Sequence, residues 1–266
     1  MANLQKLIVW YLEKAEQLDL KATRLTWTDR WCKGWDDIQV TVKSNAGRRF
    51  TGRGFARDPN LAFAKASSEA LERLACAHAG LSTLGVAVHL TKELARKNAM
   101  LELFERQQLG HPSMSLSMTQ KQITRSPLVT ELVAYAKTLK LELSFTMLAN
   151  SEFGTVVLCQ SNASGCDQIF GLGASPERSE AAEKAAVELA RNLAMLFDPH
   201  TAPSEFETTR LKLAAHFKTV SEKAALLKDG ILANVIFEEV DLESALGTSC
   251  ILKAERCRFD FNGKDS

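Results

Sequence analysis

The chain is 266 residues long, enough for one large domain or two ordinary ones with a real core. Hydrophobic residues make up 45% and charged residues 24%, as in an ordinary globular enzyme, and 33 basic against 32 acidic residues leave a formal charge of +1. No window approaches the roughly 18 apolar residues of a membrane-crossing helix, and there is no overall basic excess of the kind nucleic acid selects.

In chain order, Met1 to Glu13 reads as an amphipathic helix. Lys6 and Glu13 interrupt its apolar stretch and no small-residue cleavage site follows, so no signal peptide is expected and a cytoplasmic location is. All four tryptophans fall within the first 35 residues, with Trp27, Trp31 and Trp35 in TWTDRWCKGW. Packing in the core or at a hinge is the expected use, and a peptide- or partner-binding surface the alternative. Asp37 to Lys43 and Thr155 to Gln160 are β-branched and partly alternating, hence strands. Between and after them lie three alanine- and leucine-rich helices, with starts expected at Asp58-Pro59-Asn60, Thr91 and Ser175-Pro176. His89, just before the second, is expected to cap it or lie at the surface. Phe206 to Asp229 reads as one or two helices, Gly230 to Val240 as a strand and Thr248 to Phe261 as a strand or hairpin. This tail is expected to complete a sheet or form a dimer contact. The six cysteines are scattered without a C-x-x-C pair, which points to buried, reduced thiols.

The chain repeats itself. GRGFARDPNLAFAKASSEALER (Gly52–Arg73), GVAVHLTKELARKNAMLELFER (Gly85–Arg106) and GLGASPERSEAAEKAAVELARN (Gly171–Asn192) align without gaps. Each opens on a glycine. Each then carries an alanine (Ala62, Ala95, Ala181), a nitrogen-bearing side chain (Lys65, Asn98, Lys184), a second alanine (Ala66, Ala99, Ala185) and a glutamate (Glu69, Glu102, Glu188). The first two copies add Glu72 with Arg73 and Glu105 with Arg106; the third has Arg191 and Asn192. LEKAEQLDLKAT (Leu12–Thr23) also resembles VAYAKTLKLELS (Val133–Ser144). Pseudo-repeats are therefore expected over 1–80 and 127–198 as α-β-β-β-α units, with a shorter strand–helix unit over 84–110 and an extension over 199–266.

Positions i, i+4 and i+7 share one helix face. That aligns Lys65, Glu69 and Glu72; Asn98, Glu102 and Glu105; and Lys184, Glu188 and Arg191. The two alanines lie on the same stripe, where something could approach closely. Carboxylates converging from several helices repel unless a cation joins them, and Mg²⁺ suits oxygen ligands with bridging phosphates. Arg73, Arg106, Lys184 and Arg191 would then meet phosphate oxygens. The structural alternative is an ordinary i,i+4 salt bridge on each solvated helix. No G-x-x-x-x-G-K-[ST] loop is present, and spacing alone names no catalytic nucleophile or base.

ASSEALER and NAMLELFER, preceded by GRG and LSTLGVAVH, resemble the YcaO family, over roughly residues 48–110 and 165–197; Asn98-Ala-Met-Leu-Glu102-Leu-Phe-Glu105-Arg106 carries most of the likeness. The resemblance implies a single YcaO-like domain over 1–266, a mixed α/β (α+β) fold with three acidic helices around a central cavity, and ATP and Mg²⁺ as cofactors. By the same resemblance Glu69, Glu72, Glu102, Glu105 and Glu188 are metal ligands. Asn98, Arg106 and Lys184 match the family's nucleotide-contact positions, and Lys65, Arg73 and Arg191, on the same helix faces, join them as candidate nucleotide-binding residues. The implied activity is phosphorylation of a peptide backbone amide, as in the cyclodehydratases and thioamide-forming enzymes of peptide natural-product (RiPP) modification. The implied partners are a peptide substrate, an accessory peptide-binding or sulfur-delivering protein and a second copy of the chain. This sequence carries Lys184 where the family usually has arginine and Arg191 where it has glutamine, and only 28 residues separate Arg73 from Leu101, where the family has a long segment. A non-catalytic YcaO-like peptide- or partner-binding protein is the alternative. A third reading, from the α-β-β-β-α order with Gly171-x-Gly173, is a double-stranded-RNA-binding module, although its helix starts are acidic rather than lysine-rich.

Overall fold

The computed structural model describes residues 2–26, 28–123, 126–162, 169–197, 203–227 and 235–259. Its contacts divide the chain into two units: Met1–Thr26, Gly34–Leu103 and Ile231–Ser266 form unit 1, and Trp27–Lys33 with Phe104–Gly230 form unit 2. Both mix helices with antiparallel sheets, so the fold is mixed α/β.

Unit 1 opens with helix α1 (Ala2–Lys14), strands β1 (Lys21–Leu25), β2 (Asp36–Lys43) and β3 (Arg49–Ala56), and helix α2 (Pro59–His78). The three strands form one antiparallel sheet in the order β1-β2-β3, with Lys21 opposite Thr41 and Ile38 opposite Gly54. Helix α2 starts where the sequence places it. Asp58 accepts from the Asn60 amide, and Pro59 occupies a first-turn position whose N–H has no helical partner in any case. Its alanines Ala62, Ala66 and Ala70 are buried. Their small size lets β3 lie directly on the helix: a Cβ on Gly52 would overlap the Ala66 carbonyl, and one on Gly54 the Ala62 carbonyl. Strand β4 (Val86–His89) and helix α3 (Lys92–Gly110) follow. The tail then returns to this unit as β9 (Val235–Val240), a short helix over Leu242–Leu246 and a final strand, β10 (Lys253–Phe259), in a second sheet of order β4-β10-β9. So the tail completes a sheet; residues 228–234 and 260–266 of the expected segments lie outside the described residues. Tyr11, Leu18, Leu71, Leu74 and Leu246 are fully buried in this core, each such large side chain stabilising the fold by about 1.5–3 kcal/mol.

The division between units falls inside α3, whose residues from Phe104 belong to unit 2. There follow β5 (Leu116–Ser117), α4 (Gln120–Ile123), α5 (Pro127–Thr138), β6 (Leu143–Ser151), β7 (Gly154–Ser161), β8 (Phe170–Ser175), α6 (Arg178–Leu196) and α7 (Pro203–Ala225). The sheet runs β5-β6-β7-β8, all antiparallel, with a register shift between Met147 and Ala149. Helix α5 repeats the capping chemistry of α2, with Ser126 accepting from the Val129 amide before Pro127. Helix α6 starts two residues later than Ser175-Pro176 suggests: Glu177 holds the cap position, and Ser175 instead accepts from the Glu177 amide and donates to Glu180. Gly171 and Gly173 lie on Ala185 and Ala181 as Gly52 and Gly54 lie on Ala66 and Ala62. Helix α7 packs through Phe217, whose ring meets Phe170 at 4.7 Å. Trp10 and Trp31 are buried, Trp35 is half-buried and stacks on Phe55 at 5.1 Å, and Trp27 lies outside the described residues. Cys32, Cys76, Cys159, Cys250 and Cys257 are buried and free, as scattered apolar thiols should be, and Cys166 lies outside the described residues. No helix among the described residues is long and apolar enough to cross a membrane.

Candidate functional site

Among the described residues, strands β3 and β8 each end a sheet, so the backbone groups on their outer sides have no neighbouring strand there. The predicted site residues of the outer two helices supply the missing partners. In unit 1 the Arg53 amide donates to Glu69 Oε2 at 2.7 Å, Lys65 Nζ donates to the Phe55 carbonyl at 3.4 Å, and Arg73 donates to the Thr51 carbonyl. In unit 2 the Leu172 amide donates to Glu188 Oε2 at 2.7 Å and Lys184 Nζ to the Ala174 carbonyl at 3.1 Å. The glutamates and lysines stand at the same offsets from their strands in both units. One turn of helix spacing, Lys-x₃-Glu, thus matches two residues of strand, and the side chains act as a substitute neighbour for the edge.

The alanine stripe has the same origin. What approaches the helices closely is the chain's own G-x-G strand, through Gly52 and Gly54 on α2 and Gly171 and Gly173 on α6. Gly85 of the middle segment does something else. It sits at φ +68°, and its carbonyl accepts from the Cys257 amide at 2.6 Å, joining β4 to β10. The Val86 amide, which holds the place of Arg53 and Leu172, goes to the Thr83 carbonyl. Glu102 therefore does not inherit the strand-edge bond that Glu69 and Glu188 make from the corresponding position.

The carboxylates of unit 1 crowd one another. Glu72 is half-buried on α2. Burial and then the nearby Glu102 and Glu69 push its carboxyl well above the usual range, against a smaller downward pull from Arg73. Arg73 bonds Glu69 Oε1 at 2.5 Å, so both Glu69 oxygens are engaged within the helix–strand contact. The Cys76 thiol beneath is pushed up to about 12, first by burial and then by Glu72 and Glu102. Asn98 is exposed. Arg53 also forms an ion pair with the buried Asp37 at 2.6 Å, and neither residue was among the predicted ones. The visible signal for Arg53 was its place between Gly52 and Gly54.

In unit 2, Glu105 lies among groups of both signs. Burial raises its carboxyl to about 7; Glu188 also raises it, while Arg106, Lys184 and a hydrogen bond from the Ala174 amide act in the opposite direction. Arg106 stands 3.7 Å from Glu105, and Lys184 is 3.4 Å from Glu180. Arg191 and Glu188 are half-buried, one turn apart on α6. His89, half-buried in unit 1, accepts from the Leu90 amide through Nδ1, and burial lowers its pKa.

Among the described residues no three His, Cys, Asp or Glu side chains are grouped as a ready metal cage. That arrangement still fits Mg²⁺. The ion keeps several waters and is commonly held by one or two carboxylates together with substrate phosphates. Glu72 with Glu102 is such a pair, held at a charge cost that a divalent cation would remove.

In this mixed α/β chain the mutual repulsion of Glu72 and Glu102 offers a place for a cation. The sequence model of the family described as YcaO cyclodehydratase, ATP- and Mg²⁺-binding, matches residues 60–246, and the chain belongs to that family. ATP and Mg²⁺ are the family's cofactors. The fold is similar to that of YcaO from Methanopyrus kandleri bound with AMPPCP and Mg²⁺, with a TM-score of 0.61 at 15% identity over 96% of this chain and 90% of that one. It is also similar to a heterocyclase in complex with substrate and cofactor, with a TM-score of 0.61 at 10% identity. This likeness covers 94% of the present chain and 51% of the heterocyclase, so the chain spans about half of that protein. No curated protein matches in sequence.

Proposed function

We propose that this protein uses ATP and Mg²⁺ to activate a backbone amide of a peptide, in the manner of cyclodehydratases and thioamide-forming enzymes. The observation that carries the reading is the opposition of Glu72 and Glu102 in unit 1, inside the segment matched by the family. ATP and Mg²⁺ bound there supply a phosphoryl group, which converts an amide oxygen into a leaving group, and the positive charge that such a transfer requires. Glu72 and Glu102 hold the cation, with the exposed Asn98 beside them for the nucleotide. Glu69 keeps its strand-edge bond and lends charge. In unit 2, taken by itself, Arg106, Lys184 and Arg191 are suited to phosphate oxygens, and Glu105 with Glu188 balances their charge. Glu105, held near 7, is only partly ionised at neutral pH, and positive charge added beside it would lower that value and favour the carboxylate.

A second reading, a peptide- or partner-binding protein without turnover, is favoured by the strand-edge bonds that already engage Lys65, Glu69, Lys184 and Glu188. A thermal-shift titration with ATP, with and without Mg²⁺, separates the two. A ligand that binds only the folded state raises Tm by mass action. The catalytic reading expects a rise that requires Mg²⁺ and disappears in Glu102→Gln. An equal rise in that variant would remove Glu102 from the site, and no shift at millimolar ATP would favour the second reading.

A further inference from the structure

Strands β9 and β10 set two carboxylates face to face. Glu239 and Glu255 are directly opposite in the antiparallel register, where like charges repel. Glu239 is exposed, but Glu255 is fully buried and has no water to relieve it. The first turn of α3 supplies the counter-charge. Lys92 Nζ stands 3.1 Å from Glu239 Oε2 and 3.3 Å from Glu255 Oε1, and so bridges the two strands. Arg96, one turn farther along, reaches Glu255 Oε2 at 3.1 Å. Its guanidinium lies 5.2 Å from the centroid of Phe237, which is two residues from Glu239 on the same face of β9. All of these residues belong to unit 1.

A buried carboxylate is costly to hold, and apolar side chains of similar volume often attach a helix as well or better. What the ionic fork adds is direction. Ala95 and Ala99 of α3 are fully buried, and their methyl groups give a neighbour little to interlock with. A helix packed through alanines can turn or slide. Two charged arms that end on one buried carboxylate fix both its rotation and its advance along the sheet. That rotation decides where the opposite side of α3 points. At about 100° per residue, Asn98 lies about 200° around the helix from Arg96, and Glu102 about 240° around and about 9 Å farther along.

We propose that Glu255 is a positioning residue, which sets the rotation of α3 through Lys92 and Arg96 and so holds Glu102 opposite Glu72. On the reading of that pair as the place for the cation, on which this rests, β10 acts on the site through α3. Glu255→Gln keeps the side-chain volume and an oxygen for Arg96 and removes the charge. In the unliganded full chain, a double-mutant cycle of Glu72→Gln and Glu102→Gln, read by urea denaturation, measures the coupling between the two carboxylates. Repeated in the Glu255→Gln background, the cycle should give about half of that coupling or less. Leu18→Ala, a core truncation beside β2, should lower the denaturation midpoint and leave the coupling unchanged. Calorimetric titration with ATP at saturating Mg²⁺ should show affinity about tenfold weaker in Glu255→Gln. Lost coupling with unchanged ATP affinity would keep Glu255 as the positioning residue and remove the nucleotide from this pair. No coupling in the wild-type background, full coupling in Glu255→Gln, or an equal loss in Leu18→Ala would each overturn the proposal. Arg96→Met, at a half-buried position, removes one arm of the fork and serves where Glu255→Gln does not fold; the same loss of coupling is expected there, and its absence is equally decisive.

Discussion

Helices α2 and α6 hold the same backbone contacts over different charge. In both units a lysine and a glutamate four residues apart satisfy the outer edge of a G-x-G strand, and buried alanines let that strand lie on the helix. The groups one turn farther along differ. Unit 1 has Glu72, with Glu102 and Glu69 close by, and unit 2 has Arg191, with Lys184 and Arg106 near Glu105. The shared part is architecture, and the part that differs is where function is to be sought: an excess of negative charge that suits a cation in unit 1, and a mixed set that suits phosphate in unit 2. A motif repeated three times need not do one job three times.

The architectural half of this comparison is the easiest to break. Gly54→Val and Gly173→Val each drive a side chain into a helix carbonyl, Ala62 in one unit and Ala181 in the other. Neither backbone can give way without separating strand from helix, so a loss of about 4 kcal/mol or more is expected in each, read as a collapse of the denaturation midpoint. If one variant folds normally, the close approach in that unit is not required and the parallel between the units fails.

The charged half predicts the opposite sign. Glu105 is held near 7 in the fold against an ordinary 4.5. Below about pH 4.5 folded and unfolded chains both keep the proton, and the group costs nothing. Between 4.5 and 7 only the unfolded chain has released it, so stability falls as pH rises, and above 7 the cost is complete. Glu105→Gln keeps an acceptor for the Ala174 amide and removes this cost. It should stabilise the unliganded protein by about 3 kcal/mol at pH 8, falling below about 1 kcal/mol at pH 5. Urea titrations at the two pH values measure it. A variant less stable than wild type at pH 8 would show that Arg106 and Lys184 already neutralise Glu105.

Much of this was legible in the residues. Asp58-Pro59 marked the start of α2, and the G-x-G and alanine spacing marked the strand and helix that pack together. The α-β-β-β-α order over the first and third segments matches the order of elements found there. The chemistry of the spacing was harder to read. Lys-x₃-Glu on a helix looks the same whether it faces solvent, a metal or a strand edge, because one-dimensional spacing fixes the face and not what lies opposite. The middle copy was read as equivalent to the others, yet Gly85 joins β10, and the Val86 amide turns to Thr83. Only strand pairing across more than 160 residues decides that, and no local pattern carries it.

Separating these roles takes single truncations. Glu69→Ala and Glu188→Ala each leave an edge amide without its charged acceptor, and each should cost about 2 kcal/mol. The Val86 amide at the corresponding place goes to the Thr83 carbonyl, so Glu102→Ala should cost less, because it relieves Glu72, and should instead abolish the Mg²⁺-dependent response to ATP. Similar losses in all three would mean that Glu102 is architectural too.

The smallest expected effect tests the comparison most finely. Lys65 and Lys184 occupy equivalent places, but Lys184 reaches its carbonyl at 3.1 Å and also pairs with Glu180, whereas Lys65 stands 3.4 Å from Phe55. Both side chains are largely solvated, so each bond is worth little. Lys65→Met should cost about 0.5 kcal/mol and Lys184→Met about 1 kcal/mol in stability. Their effects on ligand binding should diverge further. Lys184 stands in the mixed-charge set assigned to phosphate, and Lys65 stands beside carboxylates that already repel one another. Lys184→Met should therefore lower the nucleotide-induced rise in Tm, and Lys65→Met should leave more of it intact. Equal losses of ligand response would return the two helices to one shared role and remove the functional distinction between the units.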